Sequence, residues 1–301
     1  MNSQHPRLRE LQFTLHRIFR NPSAVIGFVL ILFFLAVAIF APYIAPPKYA
    51  HNPYLMPHKG FSTTPKPPNK THIFGTASGQ YDIFYGVVWG TRTAFKIGLF
   101  VVGFAALLGI ALGAISGYYG GIVDEVLMRI TDIIWAIPTL VLAMTIVVAF
   151  GRGLDKIMIA LALVGWRWYV RVIRSEILTL RDQDFVQAAK IMGVSDIKII
   201  LRHILPNAIY PALIMASMDM GSMVITASFM SFVGLGAPKG YADWGQMVAL
   251  ARNYIVGPPD DPFKFWYTIV IPGGCIVFFV LGWNLIGDAL RDAFDPKLRR
   301  R

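Results

Sequence analysis

The chain has 301 residues, of which 55% are hydrophobic and only 15% are charged, and its mean hydropathy is +0.56. Because soluble domains carry about 25% charged residues, this composition excludes an ordinary soluble protein and indicates a polytopic membrane protein. The net charge of +11 is spread along the chain, so it does not predict a nucleic-acid-binding patch. The single cysteine, Cys275, excludes an intrachain disulfide, and no cysteine cluster indicates a metal site.

The first apolar run, residues 24–45, carries no charge and is long enough to cross a bilayer. A polar tail, residues 1–23, precedes this run, and prolines rather than a small-residue cleavage site follow it. This pattern predicts a retained span and not a cleaved signal peptide. Residues 46–92 are predicted to form an external Pro-rich loop, since repeated prolines disfavour helix. The loop ends in an aromatic, helix-like piece at 82–89, which is typical of a membrane interface.

A core at residues 93–290 holds the remaining spans, and a charged tail, residues 291–301, follows it. The predicted spans of this core cover residues 93–118, 126–150, 156–178, 208–235 and 265–286. Glycines recur through the first of these spans, which predicts close helix approach. Pro138 is expected to kink the second. The sequence therefore predicts an all-α membrane protein with six transmembrane helices.

The least apolar of these spans is 156–178, because three arginines lie on nearly one of its faces. They are Arg167, Arg171 and Arg174. We expect the last turns of this span to leave the lipid, with the arginines held by lipid phosphate or by carboxylates.

A polar-rich passage, residues 184–207, separates two strongly apolar segments. Gly193 divides it, Ser195 is placed to cap the second half, and Pro206 is placed to end that half. This passage is predicted to form two short amphipathic helices that lie beside the membrane without crossing it. Its apolar residues recur at helical spacing: Phe185, Ala188, Ala189, Met192, Ile197, Ile200, Leu201 and Ile204.

The same passage resembles the cytoplasmic coupling motif of ABC importer permeases, which reads Glu-Ala-Ala, three residues, Gly, nine residues and Ile-x-Leu-Pro. Gln187 stands in place of the glutamate and His203 in place of the isoleucine, so any ion pair of the glutamate is lost. The resemblance implies that this passage docks into a cleft on an ATP-hydrolysing subunit. The residues expected to make that contact are Gln187, Ala188, Ala189, Gly193, Leu205 and Pro206.

Four further passages, distributed over residues 74–300, resemble the dipeptide and oligopeptide importer permeases. They read FGTASGQYDIFYGVVWGTR, GYYGGIVDEVLMRITDII, GLGAPKGYADWGQM and NLIGDALRDAFDPKLR. Their order resembles that of the shorter, second permease subunit of such transporters. The resemblance implies the type I ABC importer permease architecture, with a long external loop between helices 1 and 2.

The partners implied by this resemblance are a homologous second permease, two ATP-binding subunits, an external substrate-binding protein and membrane lipid, with no nucleic acid. The chain is expected to be non-catalytic and to bind no cofactor or metal, because it has no G-x-x-x-x-G-K-[ST] motif; ATP and Mg are expected in the partner subunits. An even number of spans places both termini on the same side of the membrane as residues 184–207. Lys and Arg are in modest excess on that side compared with the opposite loops. We therefore expect a multi-pass protein of the plasma (inner) membrane with cytoplasmic termini.

Asp219 is a candidate residue of the translocation path, and its position within a span indicates this independently of the resemblance. It lies about twelve residues into the fifth span, about 18 Å deep and near the bilayer midplane. An ionisable group there is costly unless it faces partner helices or water. Ser222 and Thr226 follow on the same face, so the three are expected to line a translocation path. A structural aspartate, paired with a neighbouring helix or the partner permease, is the alternative.

Other classes fit the sequence less well. It contains neither H-E-x-x-H nor G-x-S-x-G, which disfavours an intramembrane enzyme, and it has no repeated filter loop typical of a channel. A self-contained secondary transporter would show paired broken helices in inverted repeats. Within the importer family, peptides are the expected substrate, with oligosaccharides and nickel chelates as alternatives that the sequence does not decide.

Overall fold

The computed structural model of the protein describes residues 21–58, 60 and 62–294. The predicted N-terminal tail up to residue 20 and the C-terminal tail from residue 295 lie outside this part of the chain. Within it the only β structure is three isolated bridges. The helices are α1 (Pro22–Ile44), α2 (Ile83–Tyr119), α3 (Gly121–Trp135), α4 (Thr139–Phe150), α5 (Leu154–Leu180), α6 (Asp184–Ile191), α7 (Asp196–Lys198), α8 (Leu205–Ala208), α9 (Tyr210–Phe232), α10 (Trp244–Leu250) and α11 (Tyr267–Phe294).

The bundle has the helices that a polytopic membrane protein requires. Among the described residues, α1, α2, α9 and α11 are each long and apolar enough to cross a bilayer, and the bent pair α3–α4 adds a fifth candidate span. The remaining predicted span, 156–178, corresponds to α5, which is 27 residues long and packs along α2, but its charges keep it from being apolar throughout. The all-α membrane architecture is thus confirmed, while length and composition support four or five of the six predicted spans.

Helix α1 covers nearly the residues of the predicted first span. It begins where Asn21 caps it, since the side-chain oxygen of Asn21 accepts a hydrogen bond from the Ser23 amide at 3.1 Å. Pro22 suits the first turn because its missing N–H needs no partner there.

The predicted loop 46–92 is too long by ten residues, because its last part is the beginning of α2. Asp82 caps this helix by accepting a hydrogen bond from the Tyr85 amide at 2.9 Å, and no proline follows to interrupt it. The aromatic side chains of the first turns hold the loop around the helix. Tyr85 donates to the Pro53 carbonyl at 2.6 Å, and Trp89 donates to the Ala45 carbonyl at 2.9 Å.

Two loops distant in sequence fold together at this end of the bundle. We call residues 45–82 and 233–266 together the cap. The Met56 amide donates to the Gly240 carbonyl at 2.7 Å, and the rings of Tyr54 and Tyr241 stack with centroids 5.4 Å apart. The 184–207 segment lies at the opposite end, so α2 runs the length of the bundle between the two.

The predicted close approach at the α2 glycines is confirmed along α5, which is the neighbour that α2 contacts most. A Cβ added at Gly109 would fall 2.5 Å from the Trp166 carbonyl oxygen, and one at Gly113 would fall 2.7 Å from that of Val170. Both distances are too short for a real side chain, so only glycine permits this packing.

Replacing Gly109 with alanine is expected to lower the free energy of unfolding by about 1–3 kcal/mol, because the new methyl group overpacks the α2–α5 contact. Gly103→Ala is the matched control in the same helix, since a Cβ there meets nothing within 4 Å. Thermal unfolding of the two purified variants in one detergent measures the difference. Equal stability of both variants would contradict this packing.

The span predicted at 126–150 is broken rather than kinked. Helices α3 and α4 meet at 85°, with Pro138 between them. Proline lacks the N–H that would continue α3, and it disfavours helical backbone at the preceding residue.

The three arginines of α5 fix this corner. Arg174 pairs with Asp124 at 2.5 and 2.6 Å, Arg171 pairs with Asp132 at 2.5 Å, and the buried Arg167 donates to the Thr139 hydroxyl. Two of the three arginines therefore bind carboxylates of the same chain, which was one of the two alternatives for them.

Candidate coupling segment and translocation path

The 184–207 segment contains two helical parts separated by Gly193, as predicted. Gly193 has φ +72°, a left-handed conformation that glycine adopts without strain. Two details of the prediction are wrong. Ser195 makes no side-chain capping hydrogen bond, and Pro206 lies in the first turn of α8 instead of ending a helix. A wide π-helical stretch, Ile199–Ile204, precedes it, and a proline in a first turn removes no hydrogen bond.

The apolar residues of this segment divide into a buried set and an exposed set. Those that pack into the bundle are Val186, Ala189, Ile199, Ile200 and Ile204. A second set points away from the protein, and we call it the apolar patch. Its members and exposed fractions are Ile191 (86%), Met192 (74%), Ile197 (66%) and Leu201 (57%). An exposed apolar surface beside charged residues is typical of a contact with another protein or with a membrane.

The predicted contact residues have different roles in the structure. Ala189 is buried in the bundle, and Gly193 makes the turn. Gln187 is exposed, and its side-chain amide donates to the Arg181 carbonyl at 3.3 Å. Ala188 and Pro206 are exposed, whereas Leu205 is partly buried. The prediction from helical spacing placed residues of both sets on one apolar face, among them the exposed Met192 and the buried Ala189, so it did not separate the exposed apolar patch from the buried set.

Asp219 lies near the middle of α9 and is only partly exposed. Its Oδ2 accepts a hydrogen bond at 2.7 Å from the hydroxyl of Tyr169 on α5. Ser222 is exposed, and Thr226 is partly exposed like Asp219. Their hydroxyls donate to backbone carbonyls one turn earlier, at 3.3 and 2.9 Å, and each hydroxyl oxygen is still able to accept. The structure thus gives Asp219 a partner within its own chain.

The cap contains a second buried carboxylate, which sequence reasoning did not single out. Asp243 caps α10 by accepting a hydrogen bond from the Gln246 amide at 3.2 Å. Burial raises the pKa of Asp243 above its ordinary value, because the charged form loses its hydration. Burial likewise raises the pKa of the neighbouring Tyr241 to about 12. The signal in the sequence was an aspartate directly before a short apolar helix.

The raised pKa of Asp243 predicts a pH dependence of stability. The folded state binds this proton more tightly than the unfolded state, so the free energy of unfolding should fall as pH rises from about 4 through the raised pKa. Asp243→Asn keeps an acceptor for the Gln246 amide but has no proton to lose, so its stability should vary less over that range. Thermal unfolding of both proteins between about pH 4 and 8 measures this. The same change of stability with pH in both proteins would contradict this prediction.

Comparison with known proteins identifies the class. The family model described as "Binding-protein-dependent transport system inner membrane component" matches residues 109–300, and "N-terminal TM domain of oligopeptide transport permease C" matches residues 11–68. In fold, 70% of the chain superposes on 97% of a chain of the inward-facing MetNI methionine ABC transporter, with a TM-score of 0.53 and 18% identity. These define an ABC importer permease, an integral membrane protein.

Two curated relatives are similar over almost their whole lengths. A dipeptide transport system permease protein of Alkalihalophilus pseudofirmus is 37% identical over 93% of this chain and 88% of its own. A probable D,D-dipeptide transport system permease protein of Escherichia coli is 38% identical over 92% of this chain and 88% of its own. The chain belongs to the family of binding-protein-dependent transport system inner membrane components.

Proposed function

We propose that this chain is the shorter, second permease of an ATP-driven importer of di- or oligopeptides. It forms half of the translocation path, and a homologous second permease forms the other half. The names of the relatives support peptides as the substrate class, since they include dipeptide, D,D-dipeptide and oligopeptide permeases. The family assignment favours this importer over a self-contained secondary transporter.

The observation that carries the proposal is the exposed apolar patch on the 184–207 segment. Four large apolar side chains are exposed at this end of the bundle, and such exposure is typical of a contact with a protein or a membrane. The match of this segment to the coupling motif supports an ATPase subunit as that partner. This chain then binds no nucleotide, and ATP and Mg belong to the two partner subunits.

The same proposal sets the orientation. The 184–207 segment and both termini face the cytoplasm, where ATP is hydrolysed, and the cap faces outward, where an external binding protein delivers substrate. The excess of Lys and Arg on the side of the 184–207 segment supports this orientation.

Asp219, Ser222 and Thr226 are proposed to line the path. The carboxylate suits the N-terminal ammonium group of a peptide, because an ion pair in a poorly hydrated site is strong. The two hydroxyls are positioned to accept from peptide amides.

Purification of the tagged chain from its native membrane in mild detergent tests the proposal, with mass spectrometry of the co-purifying proteins. We expect a second permease and P-loop ATPase subunits. A chain that purifies alone and moves solute in liposomes without ATP would overturn it. Uptake by the recovered complex of a dipeptide, compared with an oligosaccharide and a nickel chelate, then separates the substrate classes.

A further inference from the structure

The end of α2 is held by both halves of the 184–207 segment through a single side chain. The hydroxyl of Tyr118 donates to Oδ1 of Asp196, at the start of α7, at 2.7 Å. The ammonium group of Lys190, at the end of α6, lies 5.3 Å from the centroid of the Tyr118 ring. Because Gly193 separates α6 from α7, Tyr118 bridges the two parts of the segment across their turn.

A second set of contacts holds the same end of α2. Arg181, which follows α5, donates from Nη1 to the Gly117 carbonyl at 3.0 Å. The exposed Gln187 of the segment donates in turn to the Arg181 carbonyl at 3.3 Å. The segment therefore contacts α2 directly through Tyr118 and indirectly through Arg181.

From this end α2 continues without interruption to the cap. It has 37 residues and no proline, so it is about 55 Å long. Close packing of Gly109 and Gly113 against α5 restrains it along its length. A long helix packed in this way moves as one body.

At its other end α2 is bound to both loops of the cap. The Trp89 indole donates to the Ala45 carbonyl at 2.9 Å, and the Thr93 hydroxyl donates to the Ala242 carbonyl at 2.8 Å. Trp244 donates to the Val87 carbonyl at 3.1 Å, and its ring leaves no room for a Cβ at Gly90. A displacement of α2 therefore changes the position of the cap.

We propose that Tyr118 is a positioning residue that fixes the 184–207 segment to α2, so that a movement of the segment reaches the cap through this helix. The proposal rests on the proposed function, in which the segment docks on an ATPase and the cap receives the loaded binding protein. Coupling between two sites is reciprocal, so a binding protein at the cap acts back on the ATPase through the same contact.

Tyr118→Phe tests this role, because it keeps the ring beside Lys190 and removes only the hydroxyl bonded to Asp196. Tyr119→Phe is the matched control. Its ring lies beside that of Tyr118, it is half exposed, and its hydroxyl makes no hydrogen bond to the described residues. The complete transporter is reconstituted in liposomes for both variants. ATP hydrolysis is measured with and without the substrate-loaded binding protein, together with uptake per ATP hydrolysed.

We expect Tyr118→Phe to leave ATP hydrolysis without the binding protein unchanged and to lower its stimulation by that protein about five-fold, as for a typical coupling energy. Uptake per ATP should fall with it. Asp196→Ala should cause a similar fall, and the double variant should lose no more than either single one. Tyr119→Phe should match the unmodified chain.

The inference would be overturned if the binding protein stimulated ATP hydrolysis equally in the Tyr118→Phe and Tyr119→Phe transporters. Additive losses of this stimulation in the double variant would also overturn it. These outcomes are distinct from failure of the proposed function. If that function is wrong, no ATPase subunit is recovered with the unmodified chain, and no stimulation exists to be lost.

Discussion

Replacing both Met192 and Ile197 with glutamate is expected to abolish ATP-driven uptake, because the ATPase subunits no longer bind. Both side chains belong to the apolar patch and are largely exposed in the isolated chain. Burying each at an interface contributes about 1–2 kcal/mol, and a buried unpaired carboxylate costs more. We therefore expect ATPase recovery to fall about 100-fold or further at fixed protein concentration. Pull-down of the tagged chain with quantitative mass spectrometry measures the recovery.

The control for this experiment is Val256→Glu combined with Phe263→Glu, which places the same two charges on comparably exposed apolar residues of the cap, at the other end of the bundle. It should leave ATPase recovery unchanged. Recovery of ATPase subunits by the Met192→Glu, Ile197→Glu chain at the level of the control would show that the apolar patch is not the docking surface.

Asp219→Asn is expected to lower uptake about ten-fold while leaving the assembled complex intact, as for the loss of about 1.4 kcal/mol of charge-dependent interaction. Asparagine has nearly the same shape, and its side-chain oxygen is still able to accept from the Tyr169 hydroxyl, so only the charge is removed. Peptide uptake into cells, normalised to the amount of complex recovered, measures the effect.

Tyr169→Phe separates a path role of Asp219 from a structural one. If Asp219 serves mainly to hold α9 against α5, Tyr169→Phe should impair uptake at least as much as Asp219→Asn, because only Tyr169→Phe removes the hydrogen bond between the two helices. If Asp219 contacts substrate, Tyr169→Phe should preserve most of the uptake. Unchanged uptake in Asp219→Asn, or loss of the assembled complex, would refute the path assignment.

Features that depend on local chemistry were predictable from the sequence. The first span follows from an uncharged run of apolar residues. The close packing of α2 and the turn at Gly193 follow from glycine, which has no side chain. The Gly-x-x-x-Gly spacing at Gly109 and Gly113 needs only a helix to bring both residues to one face, and α5 lies on that face.

The corner between α3 and α4 was predicted as a kink because proline indicates a break but does not set its angle. The two helices meet at 85°, and both pack against α5. The pairs of Arg171 with Asp132 and of Arg174 with Asp124 join residues far apart in the chain. A sequence pattern gives the charges and not their pairing.

The two surfaces of the 184–207 segment were not separated for a similar reason. Helical spacing alone places Met192 with Ala189, and Leu201 with Ile200 and Ile204. Met192 follows the last residue of α6 and directly precedes the turn at Gly193, and Leu201 lies in the π-helical stretch Ile199–Ile204. The exposed apolar patch is therefore a product of irregular backbone, which periodicity does not describe.

The cap imposes an order on the biogenesis of this protein. Its first loop, which contains Tyr54 and Met56, is synthesised before α2, but its partners Gly240 and Tyr241 come after α9. During membrane insertion this loop can contact α2 early, through Tyr85 and Trp89, but its contacts with Gly240 and Tyr241 cannot form until most of the chain has been made. Contacts between residues so far apart in sequence form slowly, so closure of the cap depends on a nearly complete chain.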